Sequence, residues 1–220
     1  MNNLIFLFYY SAIVVSIIIG VINHKHFQNS TKAILAFLFL TATSEIMNYT
    51  AVALGEYGVR YAIFHFYSIV EISLILAFFT YALKIQKPLK IIGFGTVVFV
   101  IISIVNIIFL QPLDTLNTNI ILLEGFTIIS LSLYSIYHKL KSNFAINMFI
   151  VPDVQVSILF LLSWCGTFFF WSFIKILYSK KWNYIEPVLD GHMILNIFFY
   201  TGIAAVFYFY PKKRIAHEHS

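Results

Sequence analysis

The chain has 220 residues, of which 60% are hydrophobic and only 10% are charged, and its formal net charge is +5. Soluble domains carry about 25% charged residues, so this composition excludes an ordinary soluble domain and predicts an integral membrane protein. The basic balance does not indicate a nucleic-acid partner, because the lysines lie in short loops beside apolar segments, where they set topology. A single cysteine, Cys165, leaves no possibility of an intrachain disulfide.

Seven segments are long and apolar enough to cross a bilayer, which takes about twenty residues. In chain order they cover residues 3–23, 31–54, 59–83, 89–110, 117–138, 154–178 and 187–210. The prolines lie at or near segment ends, where a helix begins or stops without losing internal hydrogen bonds; they are Pro88, Pro112, Pro152, Pro187 and Pro211. The pattern predicts an all-α integral membrane bundle of seven transmembrane helices, forming a single domain over residues 1–220.

The lysine and arginine residues predict the orientation, because they concentrate in cytoplasmic loops. One side of the predicted bundle collects Lys25, Lys32, Lys84, Lys87, Lys90, Lys139, Lys141, Lys212, Lys213 and Arg214. The other side collects Arg60, Lys175, Lys180 and Lys181. The first side is therefore predicted to be cytoplasmic, with the N-terminus outside, the C-terminus inside, and the protein in the inner membrane of a bacterium.

Ionisable and amide side chains fall inside these apolar segments. An ionisable group at the bilayer centre costs roughly 2.5–3.5 kcal/mol or more, so such groups normally face an interior or a cavity and mark a functional site. The candidate ligand-binding residues, in chain order, are Glu45, Asn48, Tyr49, His65, Tyr67, Glu71, Glu124, His192 and Asn196. With the predicted orientation all of them lie in the outer half or near the middle of their helices. The sequence therefore predicts a polar pocket that opens outward and is closed from the cytoplasm.

Helical spacing favours inward-facing stripes. Thr41, Glu45, Asn48 and Tyr49 recur at i, i+4, i+7 and i+8, and the pairs Tyr67–Glu71 and His192–Asn196 are spaced i, i+4. His65 is turned by about 120° from Glu71, so those two side chains need not share one ligand. Helices two, three, five and seven are predicted to present these groups to one chamber. The alternative is structural: a protonated Glu hydrogen-bonds to a neighbouring helix and holds the bundle together.

Cofactor and metal signals are weak. His65, His192 and Glu71 would make a two-histidine, one-carboxylate metal site, yet there is no H-E-x-x-H and no histidine pair at i, i+4. No retinal is expected, because the seventh segment lacks the lysine that a Schiff base needs. Serine-hydrolase chemistry is not supported, since no G-x-S-x-G is present. Cys165 is expected to be a small packing residue, because burial among apolar groups disfavours its thiolate.

Several runs resemble a family of uncharacterised seven-span integral membrane proteins of Bacteroidota. They are FHFYSIVEISLILAFF in segment three, LNTNIILLEGFTIISL at the start of segment five, Pro152-Asp153 and SWCGTFFFW in segment six, and HMILNIFFY in segment seven. The resemblance covers most of the chain. It implies a seven-helix fold and brings no assigned activity.

The leading functional hypothesis is a receptor or sensory input module. The protein would lie in the lipid bilayer, and a small-molecule ligand would enter its pocket from the exterior. A separate cytoplasmic signalling partner would detect the resulting helix shift. The alternative is a small-molecule transporter, with proton coupling through one of the glutamates. A third hypothesis is an intramembrane enzyme acting on a lipid or quinone, with His65 or His192 as the base.

Overall fold

The computed structural model describes residues 3–142, 150–179 and 185–218 of the chain. Within these ranges it forms seven α-helices: α1 Asn3–Asn23, α2 Asn29–Ala53, α3 Tyr57–Ala82, α4 Pro88–Phe109, α5 Thr118–Ser142, α6 Pro152–Ser179 and α7 Ile185–Glu218. Each of these helices is long and apolar enough to cross a membrane. The prediction of an all-α protein with seven helices of spanning length and composition is therefore confirmed.

All seven helices begin within two residues of the predicted positions. Pro88 and Pro152 are the first residues of α4 and α6, where the missing backbone N–H needs no partner. The seventh predicted span is confirmed to end at Tyr210, while helix α7 itself continues through Pro211 to Glu218. Proline removes only one backbone hydrogen bond, and the residues after it, KKRIAHE, include strong helix formers.

Helices α5 and α7 extend past the ends of their predicted segments. The fifth helix runs to Ser142 and includes Lys139 and Lys141 in its last turn. Basic side chains are favourable there, because they interact with the carbonyl end of the helix dipole. Lys180 and Lys181, which contribute to the orientation argument, lie outside the described residues.

The chain divides into two compact units, each of which is described by itself. The first unit comprises Met1–Gln28 and Gly125–Ser220, and the second comprises Asn29–Glu124. Helix α5 begins in the second unit and continues in the first. The prediction of a single domain concerns how the units associate, and it stays a prediction.

In the first unit α7 packs against both α1 and α6. The buried face of α1 consists of Tyr9, Ile13, Ser16 and Gly20, which recur at helical spacing. The Ser16 hydroxyl donates to the backbone carbonyl of Tyr200 in α7 at 2.8 Å.

Aromatic contacts join the residues that follow α1 to the second half of α7. The ring of Phe27 packs on Phe207 and Tyr210, with centroid distances of 4.8 and 5.1 Å. The backbone N–H of Gln28 donates to the Tyr210 hydroxyl at 3.2 Å. Close packing of α6 on α7 depends on Gly202, where an added Cβ would lie 2.5 Å from the Leu159 side chain.

In the second unit α3 packs against both α2 and α4. Thr96 of α4 donates to the Ser73 hydroxyl of α3 at 3.0 Å, and one residue earlier Gly95 packs under the Leu76 side chain. Thr96 lies eight residues after the start of α4, and Ser73 lies nine residues before the end of α3. These nearly equal offsets show that α3 and α4 run antiparallel with little stagger.

Large apolar side chains cover the outward surfaces of the helices. On α4, for example, Phe94, Leu89 and Phe109 are all strongly exposed, and Phe109 is 75% accessible. Exposed apolar patches of this extent are unusual for a soluble monomer and are the surface that a lipid-facing helix presents. The structure therefore fits a multi-pass protein whose surroundings are a lipid bilayer.

Candidate functional site

The buried face of α3 changes from polar to apolar near the middle of the helix. Toward the start of α3 the buried side chains are His65, Ser68 and Glu71. Toward its end they are mainly Ile72, Ile75, Phe78 and Phe79. The change occurs within one turn, and Thr80, the buried polar residue beyond it, donates to the Leu76 carbonyl of its own helix.

The neighbouring helix α2 shows the same change at a similar level. Its central and later buried side chains are Thr41, Ser44 and Asn48, whereas Ile34, Phe37 and Leu38 precede them, after a first turn in which Ser30 and Thr31 are also buried. Thr41 lies twelve residues before the end of α2 and Glu71 lies fourteen residues after the start of α3. At 1.5 Å per residue both are about 20 Å from the α2–α3 connection. We call the half of the second unit nearest this connection the polar half.

Two carboxyl groups meet at the end of the polar half that is farthest from the α2–α3 connection. The side chains of Glu71, on α3, and Glu124, on α5, form a hydrogen bond, and Glu71 also bonds to Tyr67 while Glu124 bonds to Ser68. Glu71 is 8% exposed and Glu124 is 1% exposed. An ionised carboxylate can only accept hydrogen bonds, so two carboxyls in contact can bond to each other only when at least one of them is protonated. The pair is therefore suited to hold a proton.

A chain of hydroxyl groups links the pair to α2. The Tyr67 hydroxyl lies 3.1 Å from Thr41 Oγ1, and Thr41 Oγ1 donates to the backbone carbonyl of Phe37 at 3.0 Å. Because a hydroxyl has one hydrogen, Tyr67 donates either to Thr41 or to Glu71. When Glu71 is protonated, each group in turn donates toward the Phe37 carbonyl. When Glu71 is ionised, Tyr67 donates to Glu71, and the Thr41 hydroxyl can then donate to Tyr67.

His65 faces a different partner from Glu71. Its Nε2 lies 3.2 Å from the carbonyl oxygen of Thr115, in the α4–α5 connection. A carbonyl only accepts, so Nε2 carries the hydrogen, and the buried Nδ1 has no hydrogen-bond partner. The two side chains therefore have separate neighbours, as the 120° offset between them predicts.

These contacts show that α5 begins beside the middle of α3, at a distance from the α2–α3 connection where α3 begins. Glu71 lies fourteen residues into α3, but its partner Glu124 lies only six residues into α5. The difference of eight residues corresponds to about 12 Å of helix. His65, eight residues into α3, likewise meets Thr115, which precedes α5 altogether. Helix α3 thus projects roughly two turns beyond the α4–α5 connection.

Buried amides hold this recessed connection in place. Asn106 Nδ2 donates to Asn117 Oδ1 at 3.3 Å, and Asn119 Nδ2 donates back to Asn106 Oδ1 at 3.0 Å. Gln111 Nε2 donates to the Thr118 hydroxyl at 2.7 Å, and Gln111 Oε1 accepts from the backbone N–H of Asn119 at 2.9 Å. Non-helical backbone at membrane depth needs such internal partners. The Nδ2 of Asn117 is buried without one.

The first unit contains its own polar site on α7. Asn196 Nδ2 donates to His192 Nε2 at 3.2 Å, as the i, i+4 spacing predicts. The His192 ring stacks on Phe170 with a centroid distance of 4.7 Å, and Trp171 contacts it edge-on at 5.8 Å. Its Nδ1 is buried without a hydrogen-bond partner. This pair belongs to a different unit from the carboxyl pair, so the prediction of one shared chamber stays a prediction.

The remaining predicted site residues lie on α2. Asn48 is buried, and its Nδ2 donates to the Ser44 hydroxyl at 3.4 Å, while Glu45 is half-buried. The placement of Tyr49 on the same inward stripe is wrong, because its side chain is 71% exposed. Tyr49 is turned by about 80° from Thr41 at 100° per residue, which carries it off the buried face.

Sequence reasoning missed six members of the polar half. Ser44 and Ser68 were hidden because an isolated serine in an apolar segment is common. The others belong to the stretch QPLDTLNTN, which has the composition of an ordinary surface loop: Gln111, Asn117, Thr118 and Asn119. Only the unusual density of amides between two apolar segments could have indicated that Gln111, Asn117 and Thr118 are buried.

Neither a metal site nor a packing role for the cysteine emerges from the described residues. Among them no group of three or more His, Cys, Asp or Glu side chains is arranged to hold a metal ion. The predicted ligands His65, His192 and Glu71 have the separate neighbours given above. Cys165 is exposed on α6, so its expected packing role is wrong, since the small residue turns outward rather than toward another helix.

Comparisons of the chain with protein-family models, with curated proteins and with solved structures find no match. The resemblance to seven-span proteins of Bacteroidota therefore stays a proposal. The functional argument rests on the geometry of the site.

Proposed function

We propose that the protein is a membrane receptor or sensory input module, with its ligand site in the polar half of the second unit. The observation that carries the proposal is the matched change from polar to apolar on the buried faces of α2 and α3. A ligand that approaches from the α2–α3 connection meets polar groups as far as Glu71 and apolar packing beyond it. One-sided access suits binding and signalling.

The hydroxyl chain supplies a route from the ligand to a helix shift. A ligand that changes the charge of Glu71 changes which way Tyr67 donates, and Tyr67 contacts Thr41 of α2. Helix α2 would then be held differently against α3. A ligand shifts an equilibrium only through contacts that differ between the two states, and the Tyr67 bond is such a contact. A separate cytoplasmic partner would detect the change at the opposite end of the helices.

The orientation is part of the proposal. The positive-inside rule places the N-terminus outside and the C-terminus in the cytoplasm of a bacterium, so that the polar half opens to the exterior. Alkaline phosphatase fused after Ser220 should be inactive, and the same enzyme fused between Glu56 and Tyr57 should be active. The reverse pattern would contradict the orientation and would put the ligand site on the cytoplasmic side.

Native mass spectrometry of the purified protein in mild detergent tests for a ligand. We expect a co-purifying or added small molecule to bind the unmodified protein and to be lost in Glu71→Gln and Glu124→Gln. Glu56→Gln is the matched control, because Glu56 is an exposed carboxyl in the α2–α3 connection. Binding that survives both pair variants would place the ligand elsewhere and contradict the proposed site.

A proton-coupled transporter is the second candidate, and the carboxyl pair is the observation that favours it. Buried carboxyls that hold a proton are the usual coupling groups of transporters. Reconstituted vesicles with an imposed pH gradient distinguish the two functions. Uptake of the bound molecule that depends on the gradient and fails in Glu71→Gln would establish transport, whereas binding without uptake favours the receptor.

A further inference from the structure

We propose that the Glu71–Glu124 pair binds a small monovalent cation in exchange for one proton. This inference rests on the proposed function, since it names the ligand class for the same site. It goes further by specifying the charge of the ligand, the atoms that hold it and the number of protons it displaces.

Charge balance requires the exchange. A net charge at membrane depth is strongly unfavourable, so the empty pair is most stable with both carboxyls protonated and a net charge of zero. When a monovalent cation binds, the O–H bond of one carboxyl breaks and its proton leaves to solvent. The resulting carboxylate holds the cation, and the net charge of the site is again zero. No electron is transferred.

The surrounding atoms are oxygens. Glu71 contacts the Tyr67 hydroxyl, and Glu124 contacts the Ser68 hydroxyl, so that two carboxyls and two hydroxyls converge. Oxygen donors suit hard cations. The group therefore offers the type of donor atom that a small cation needs.

A second observation points to a ligand at this place. Glu124 Oε1 is buried and has no hydrogen-bond partner, although its side chain is 1% exposed. A buried acceptor without a donor costs about 1–3 kcal/mol, so an unfilled oxygen beside a proton-holding pair needs an explanation. A cation coordinated by both carboxyls would supply the missing partner.

The burial of the site favours one charge over two. Glu124 Oε1 has essentially no accessible surface, so an ion bound there would have to shed its waters. Magnesium and other strongly hydrated divalent ions keep several waters when they bind. A monovalent ion or a protonated amine loses its hydration more readily.

Few other ionisable groups in the second unit can take part in the exchange. Glu45 on α2 is half-buried, and His65 on α3 faces Thr115. Helix α4 carries no ionisable side chain after Lys90. The exposed Glu56, in the α2–α3 connection, therefore supplies the control variant Glu56→Gln.

Proton release on cation addition is the direct test. Purified protein in weakly buffered detergent solution receives sodium, potassium or methylammonium chloride, with choline chloride as the control of equal ionic strength. We expect about one proton released per protein with a cation that fits and none with choline. The apparent Kd should rise tenfold for each unit by which pH falls, because one proton competes with one cation. Glu71→Gln and Glu124→Gln should abolish the release, whereas Glu56→Gln should keep it.

Each outcome has a consequence. Release with sodium or potassium assigns an inorganic ion, and release with methylammonium alone assigns an organic amine. If every salt, choline chloride included, gives the same proton release from the unmodified protein, the inference is overturned, whether or not the variants fold. Proton release with calcium chloride alone overturns it as well. If no proton is released but a neutral molecule is lost in Glu71→Gln by native mass spectrometry, the inference fails and the proposed function stands.

Discussion

Glu71 and Glu124 hydrogen-bond to each other from two different helices, at the level where the buried faces of α2 and α3 become apolar. The bond exists only while a proton is present, because two carboxylates have no hydrogen to share. The arrangement therefore couples the packing of α3 against α5 to the occupancy of one site.

Removing either carboxyl should destabilise the protein by leaving the other without its partner. We expect Glu71→Ala and Glu124→Ala each to lower the free energy of unfolding by about 1–3 kcal/mol. The double variant should lose less than the sum, since no orphaned carboxyl then remains. Unfolding in detergent with Glu56→Ala as the control measures this coupling, and strictly additive losses would show that the two side chains act separately.

The hydroxyl chain makes a related but distinct prediction. Tyr67→Phe removes the link between Glu71 and Thr41, and Thr41→Val removes the next one. Each should lower the unfolding free energy by about 0.5–1.5 kcal/mol, and together they should be less than additive. Tyr49→Phe is the matched control, because the exposed Tyr49 should tolerate the change. Independent effects of Tyr67 and Thr41 would argue against a connected chain.

The buried amides should be sensitive to substitution. Asn106 donates to Asn117 and Gln111 and accepts from Asn119, so Asn106→Ala leaves several polar atoms unsatisfied. We expect a loss of about 1–3 kcal/mol in unfolding free energy. Hydrogen exchange of residues 110–117 should accelerate in this variant while that of α1 stays unchanged. A variant as stable as the parent would mean that water replaces the amide.

Close helix packing predicts opposite effects at two glycines. A Cβ at Gly125 would lie 2.8 and 2.9 Å from ring atoms of Trp164, whereas a Cβ at Gly93 meets open space. Gly125→Ala should therefore destabilise the protein by about 1–3 kcal/mol, because a rigid indole must move. Gly93→Ala should be neutral or stabilising by up to about 1 kcal/mol, since alanine favours a helix. Thermal unfolding of the two variants side by side checks the sign.

The sequence predicted the helices well because apolar length is a local property. Starts came within two residues, whereas helix α7 extends beyond its predicted span because Pro211 does not stop a helix whose next residues favour it. The site was harder. The polar stripe on α2 follows from spacing, but the meeting of Glu71 with Glu124 depends on the recessed start of α5.

That recess could not be read from one sequence. It arises from tertiary hydrogen bonds of Gln111, Asn117 and Asn119, whose residue types are equally common in exposed loops. The same limit applies to Tyr49, which sits at the edge of a helical stripe. Periodicity assigns such a position to a face only within about 80–100°, and packing decides the rest.

The carboxyl pair lies about halfway along α3, so in the proposed orientation a cation arriving from outside would cross roughly half of the transmembrane voltage. A full unit charge changes in energy by about 2.3 kcal/mol per 100 mV, and half of the field gives about 1.2 kcal/mol. The proposed one-for-one exchange would send a proton back along the same path and move no net charge. Occupancy of the site would therefore be indifferent to membrane potential and responsive to external acidity, and the protein would register the composition of its surroundings without registering whether the cell is energised.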